Sequence, residues 1–171
     1  TFSKAQGHSI GTSLCEDDRL DYAKEMIEKA KAKGVNFLLP VDNRIAAEFK
    51  DVEAKVTEGQ DIPDGFMGLD IGPETIELYK QVLSDAKVVF WNGPMGVFED
   101  SRFATGTKSI CAYIASLDNT FSVIGGGDSA AASKEFGYKD KFSHVSTSEG
   151  ESLEMIENNG VLPGIEIIQD K

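Results

Sequence analysis

In the run Phe121-Ser122-Val123-Ile124-Gly125-Gly126-Gly127-Asp128-Ser129-Ala130-Ala131-Ala132, an apolar strand pattern stops at three glycines and restarts as an alanine-rich helix pattern. Glycines let a backbone turn sharply and bring its N–H groups close to an anion, and the helix that follows points its positive end at the same spot. Asp128 adds a lone carboxylate, which suits Mg²⁺ because that ion keeps most of its waters and takes one or two protein ligands beside phosphates. The chemistry these residues offer is the holding of a magnesium nucleotide. Two plainer readings stand beside it: the glycines could serve close packing of strand on helix, and Asp128 could be a helix N-cap, alone or together with a metal role.

A second loop, Trp91-Asn92-Gly93-Pro94-Met95-Gly96-Val97-Phe98-Glu99, follows another strand pattern. Read residue by residue, Trp91 is a core side chain, Asn92-Gly93-Pro94 a turn, and Glu99 a solvated surface carboxylate, as exposed acids usually are. His8 and His144 have no ligand or nucleophile partner at useful spacing. Gly125-x-Gly127-x-x-Ala130 after a strand also satisfies the dinucleotide fingerprint, with Glu149 about 20 residues on where a ribose-binding acid would stand, so a pyridine-nucleotide oxidoreductase is an alternative.

The elements that must position these residues alternate between helix and strand, the pattern of an α/β fold with a mostly parallel sheet. Asp18 to Lys33 places Leu20, Ala23, Ile27 and Ala30 at spacings of three and four, with Asp18 as cap and Gly34 just past the end. Phe37 to Val41 reads as a buried strand, followed by a less regular section through Val52 to Val56 and the turn Ile62-Pro63-Asp64-Gly65. Gly68 to Ile71 is a short strand, and Gly72-Pro73 opens a helix with Ile76, Tyr79 and Leu83 on its core face. Val88 to Trp91 is a strand, Phe103, Thr107, Ile110 and Ile114 share a helix face, Phe142 to Val145 is a last strand and Glu151 to Glu157 a last helix. In open sheets of this kind ligands gather at the carboxyl ends of the strands, where both loops fall.

At 171 residues, with 40% apolar and 27% charged content, the chain is expected to form one compact unit burying roughly 70% of its unfolded surface. A formal charge of -12 argues against nucleic-acid or anionic-membrane partners, which are held by excess Lys and Arg. Cys15 and Cys111 stand far apart without a CxxC or His pairing, so neither a zinc site nor a disulfide framework is implied, and a reducing cytoplasm fits. No stretch reaches the roughly 20 apolar residues of a membrane span. Thr1-Phe2-Ser3-Lys4 reads as the inside of a helix, the expectation for a piece of something longer.

Taken together, the Trp91 to Glu99 loop, Ile124 to Ala130, Gly65-Phe66-Met67-Gly68-Leu69-Asp70-Ile71-Gly72-Pro73 and His144-Val145-Ser146-Thr147 closely resemble phosphoglycerate kinase, in order and separation, from Thr1 to Leu162-Pro163-Gly164. The resemblance implies a two-domain kinase that moves a phosphoryl group between 1,3-bisphosphoglycerate and ADP with Mg²⁺. This chain, 1–171, would be most of its C-terminal nucleotide-binding domain, a three-layer Rossmann-like fold lacking its upstream strands. It further implies that Asp128 holds the magnesium of ADP or ATP, that the backbone of Gly126 and Gly127 with Ser129 sits beside the phosphates, and that Asn92 approaches them. Glu99 would hydrogen-bond the ribose, while Leu14, Gly68, Leu69, Pro94 and Val97 would line the adenine and ribose pocket. Phosphoryl transfer needs positioning and charge neutralisation more than a covalent catalyst, so these residue types suffice on the nucleotide side.

The same resemblance places the 3-phosphoglycerate site, a catalytic arginine, further lysines and another glycine-rich turn before Thr1. The expectation is therefore a chain that binds nucleotide without running the reaction, from a family that is usually monomeric, with an exposed edge that invites self-association and a loose segment Leu162 to Lys171. A noncatalytic nucleotide-binding or interaction module is the competing reading for the chain as it stands. One departure is local: Thr147-Ser148-Glu149-Gly150-Glu151-Ser152-Leu153-Glu154 replaces the family's Thr-Gly-Gly-Gly-Ala-Ser-Leu-Glu. Ser148-x-x-Glu151 reads as a capping box that satisfies the helix donors internally, and Glu149 and Glu151 add negative charge that repels an incoming phosphate. Poor transfer is expected even when the chain is rejoined to an N-terminal half.

Overall fold

The computed structural model describes residues 1–49, 53–148 and 150–160. The expectations for Val52, Glu149 and the closing segment Leu162 to Lys171 lie outside the described residues. The chain divides into two compact units, Thr1–Tyr79 with Met95–Gly106, and Lys80–Pro94 with Thr107–Lys171, in place of the single unit expected from length. Each unit has its own three-stranded sheet, and the strand pairing of the described residues stays within one sheet or the other.

The first unit holds α1 (Phe2–Ala5), α2 (Leu20–Ala32), β1 (Asn43–Ala46), β2 (Lys55–Val56), β3 (Met67–Ile71) and the start of α3 (Pro73–Leu83). α2 begins after a single 3₁₀ turn at Asp17–Arg19; its N-cap is Arg19, without a side-chain cap, so Asp18 does not cap it. Its other end is as read from Gly34, which takes φ +68° while its amide and that of Val35 donate to Lys31 O and Ala30 O, the paired closing bonds of a glycine-terminated helix. β1 pairs antiparallel with both β2 and β3, giving the order β2-β1-β3 with an irregularity between Arg44 and Ile45. Ala46, Leu69 and Phe103 form its buried core, with Ala54, Met67 and Val97 against them.

Phe37 to Val41 is irregular rather than a buried strand. A strand needs a hydrogen-bonded neighbour, no described strand pairs with this run, and Pro40 within it has no N–H to give a ladder. Phe37 is 42% exposed and meets the Phe2 ring at 5.1 Å. The chain becomes extended two residues later, at β1, which carries Asn43 and Arg44 and so lacks a plain apolar signal.

α3 is capped from a distance. Asp42, 1% exposed, accepts the Glu74 and Thr75 amides at 3.0 and 2.8 Å, and a Cβ on Gly72 would fall 2.2 Å from that carboxylate. Only glycine can precede Pro73 there.

The second unit contains β4 (Val88–Asn92), the greater part of α4 (Thr105–Ala115), β5 (Phe121–Gly125), α5 (Gly127–Glu135), β6 (His144–Ser146) and α6 (Gly150–Glu157). Its sheet, order β4-β5-β6, is parallel throughout, with α4 between β4 and β5 and α5 between β5 and β6, which is the Rossmann-like α/β pattern. Trp91 stacks on Phe142 at 6.0 Å in a core that also buries Ile110, Ile114 and Ile124. β6 starts at His144, since Phe142 packs inward ahead of the ladder.

The Ser148–Glu151 capping box does not form. α6 begins at Gly150, so Ser148 stands one residue too far out to be its cap, and its amide donates to Ser146 Oγ at 3.3 Å instead. The Ser146 and Ser148 hydroxyls share a hydrogen bond of 2.8 Å, and Ser152 Oγ donates to Ser148 O at 3.2 Å.

Candidate functional site

Parallel strands put their carboxyl ends on one edge, and the register here aligns Asn92 with Gly125 and Gly125 with Ser146. Both β4 and β5 end in a left-handed glycine, Gly93 at φ +88° and Gly126 at φ +96°, a conformation that a side chain would strain. The three glycines at the end of β5 turn out to have different reasons. A Cβ on Gly125 would lie 2.4 Å from Phe90 Cζ, so that position is glycine for packing. Gly126 is glycine for its dihedral angle, and Gly127 is exposed.

Gly126 is also the N-cap of α5, and no side-chain hydrogen bond caps that helix. Its amide donates to Ser146 O at 3.1 Å, so Gly126 shapes the turn, and its carbonyl takes the first helical bond from Ala130. Asp128 sits in the first turn with its side chain exposed and is not the N-cap, which leaves its carboxylate facing solvent at the positive end of the helix. Ser129 points inward. It is fully buried and its Oγ accepts the Gly93 amide at 2.7 Å, so its hydroxyl holds the β4 loop while its amide remains part of the helix end. Asn92 and Pro94, on either side of Gly93 in sequence, are half-buried.

The described residues contain no group of three or more His, Cys, Asp or Glu able to hold a metal by themselves. One exposed carboxylate at a helix N-terminus matches an ion that takes its other ligands from water and phosphate, as Mg²⁺ does, and does not match zinc.

In the first unit, Leu14, Gly68, Leu69 and Val97 meet around a cavity of about 360 Å³. Its walls are fixed by hydrogen bonds from backbone amides. Thr12 N–H donates to Phe66 O at 2.8 Å, Gly68 N–H to Ser13 Oγ at 2.9 Å, and Val97 N–H to Leu69 O at 2.9 Å. Gly11 must be glycine, because at φ +53° its Cβ would lie 2.1 Å from Phe66 O. Leu14 is 99% exposed at the rim, an apolar side chain held in water by this loop. Glu99 is exposed and does not line the cavity.

Sequence reasoning missed most of the residues around that cavity, Ser13, Gly96 and Asp70 among them. Gly96 and Asp70 lie inside motifs already singled out, and Ser13 immediately precedes Leu14. Asp70 is 4% exposed in the middle of β3; burial pushes its carboxyl up to about 6, opposed by the Gly106 and Ile71 amides and by the Arg44 charge. A charged residue within an otherwise apolar strand was the available signal.

The phosphoglycerate kinase family model matches residues 1–159. The phosphoglycerate kinase of Clostridium botulinum strain Alaska E43 is 62% identical over 170 residues, covering 99% of this chain and 42% of that protein. That of Spiroplasma citri is 57% identical over 171 residues, covering 100% of this chain and 40% of its own. Among solved structures, phosphoglycerate kinase from Coxiella burnetii superposes with a TM-score of 0.90 at 41% identity, covering 97% of this chain and 42% of that one. The Pyrococcus horikoshii enzyme gives 0.77 at 29% identity, over 96% and 41%. The chain thus spans about 42% of the length of the curated relatives it matches.

Proposed function

The chain belongs to the phosphoglycerate kinase family, and from that premise we propose that 1–171 is the C-terminal, nucleotide-binding domain of a kinase transferring a phosphoryl group between 1,3-bisphosphoglycerate and ADP in cytoplasmic glycolysis. The observation that carries the proposal is the end of β5, where Gly126 turns the chain into a helix with no side-chain cap and Asp128 exposed in its first turn. A positively polarised helix end without a side-chain cap, carrying one exposed carboxylate, suits a phosphate–magnesium pair.

In this reading Asp128 holds Mg²⁺, and the first-turn backbone of Gly127 and Ser129 faces the phosphates, with Gly126 allowing their close approach. Asn92 approaches the phosphates, Glu99 hydrogen-bonds the ribose, and Leu14, Gly68, Leu69, Pro94 and Val97 contact adenine and ribose. The three-carbon substrate, 3-phosphoglycerate or its bisphosphate, is held by a domain outside this chain, so the chain alone binds nucleotide and does not turn over. The dinucleotide alternative explains less, because the first glycine of its fingerprint is needed here to clear Phe90. Among the described residues no helix is long and apolar enough to cross a membrane.

The test is a titration of the chain with ADP, with and without Mg²⁺, followed by the fluorescence of Trp91. Saturable binding that requires Mg²⁺ in the wild type, and that loses its Mg²⁺ dependence in Asp128→Asn, is expected. A folded sample that fails to bind at millimolar ADP, or an Asp128→Asn variant with unchanged Mg²⁺ dependence, overturns the reading.

A further inference from the structure

The buried carboxylate of Asp70 has an arrangement that the nucleotide roles leave unexplained. Its Oδ2 accepts the Gly106 amide at 2.7 Å and its Oδ1 accepts the Ile71 amide at 2.9 Å. Gly106 belongs to the first turn of α4, so an acid on β3 serves as the acceptor for a helix start 36 residues away. Two glycines from separate segments make room for it. A Cβ on Gly96 would lie 2.5 Å from Asp70 Oδ1, and one on Gly106 would lie 2.2 Å from the same atom.

The position matters because Asp70 itself lines the cavity, together with its β3 neighbours Leu69 and Ile71 and with Met95, Gly96 and Val97. Leu69 O already takes the Val97 amide, so the carboxylate and the carbonyl beside it join β3 to the 95–106 segment at two points. We infer that Asp70 is the positioning residue of this cavity: by accepting Gly106 and filling the space left by Gly96 and Gly106, it holds the Gly68–Leu69 wall and the Met95–Val97 wall at the separation a nucleotide's base and sugar require.

The groups that face it bear on how it works. Arg44 lies opposite on β1, in register with Asp70, and favours the charged carboxylate. Met95 to Val97 and the Thr105–Gly106 start of α4 bring no titratable side chain. Burial sets the carboxyl at about 6, within reach of mild acid. A proton removes the cost of burying charge but turns one of the two acceptor oxygens into a donor facing an N–H, which slackens the link to α4 or to β3.

The inference that the spacing serves a nucleotide rests on the proposed function, and the experiment separates the two. ADP affinity with Mg²⁺ is measured from pH 5 to 7.5 for the wild-type chain and for Asp70→Asn, together with hydrogen exchange of the 95–106 segment, corrected for intrinsic rates. Asp70→Asn is expected to bind ADP roughly tenfold more weakly at pH 7.5 and to exchange faster through 95–106, with Gly106→Ala behaving alike. Wild-type affinity should fall below about pH 6 relative to Asp70→Asn, while an inflection shared by both belongs to the nucleotide. Should the wild type bind no ADP at any pH, the nucleotide reading fails, and the exchange data alone decide whether Asp70 holds the segment. Unchanged exchange through 95–106 in Asp70→Asn, or ADP affinity equal to that of the wild type, overturns the inference. If Asp70→Asn does not fold, wild-type exchange through 95–106 that is no faster at pH 5 than at 7.5 overturns it as well.

Discussion

The Gly93 amide donates to Ser129 Oγ at 2.7 Å, tying the loop after β4 to the first turn of α5. Ser129 is fully buried, so its hydroxyl serves the protein's own backbone. Ser129→Ala would leave the Gly93 amide without that acceptor, and an orphaned, partly buried donor costs about 1–3 kcal/mol. Urea denaturation should register that loss, and ADP titration should show weaker binding in the same variant, because the two loops at the sheet edge no longer share an anchor. A variant with wild-type stability and affinity would remove Ser129 from the description of the site.

A parallel case lies under α3. Thr75 Oγ accepts the Val41 and Asp42 amides at 3.0 and 3.1 Å and donates to Asp42 Oδ1 at 2.5 Å, all within a region where Thr75 and Asp42 are almost entirely shielded. Thr75→Val keeps the shape and deletes the hydroxyl, leaving several buried polar groups unpartnered. A destabilisation of about 3 kcal/mol is expected, with most of it recovered in Thr75→Ser, which restores the hydroxyl. Thermal and denaturant unfolding of the two variants side by side checks this.

These two networks show where sequence reading reaches its limit. Elements ended by local chemistry were legible: Gly34 closes α2, Gly72-Pro73 opens α3, and the glycine turn after Ile124 opens α5. Of the five residues the resemblance grouped in one pocket, Leu14, Gly68, Leu69 and Val97 line one cavity and Pro94 does not. What depends on a distant partner was not legible. Asp42 caps α3 from 32 and 33 residues away, Asp18 is not a cap although its neighbours suit one, and Phe37 to Val41 has strand composition without a strand beside it. The inward turn of Ser129 likewise follows from where Gly93 falls, which no local spacing encodes.

Two aspartates should leave separate marks on the pH dependence of stability. Burial raises the Asp70 carboxyl from its ordinary 3.8 to about 6, so the folded chain binds a proton there that the unfolded chain has lost. Stability from this group is complete below 3.8 and is lost as pH rises through about 6. Hydrogen bonds from Arg102 hold Asp100 down at about 2 instead, so its contribution is present above 3.8 and disappears as pH falls towards 2. Denaturant midpoints measured from pH 2.5 to 7.5 should therefore lose the upper of these trends in Asp70→Asn and the lower in Arg102→Met. A wild-type curve unchanged by both substitutions would contradict the assignments.

α6 begins at Gly150 with Glu151 in its first turn, and the Ser148 hydroxyl shares a hydrogen bond with the Ser146 hydroxyl that a glycine would not make. In the family's pattern those positions are glycine and alanine, and the negative charge at 149 and 151 opposes a phosphate approaching that helix end. An acid near a helix N-terminus is worth about 0.3–1 kcal/mol, so removing two negative charges from this stretch of sequence should accelerate transfer by about 3- to 30-fold if the phosphate passes there. The measurement is turnover of this chain reassembled with the remaining part of a family member, comparing the natural sequence with Ser148→Gly, Glu149→Gly and Glu151→Ala combined. An increase in kcat with little change in ADP affinity places the barrier at α6, whereas equal turnover shows that the phosphate does not depend on that helix end.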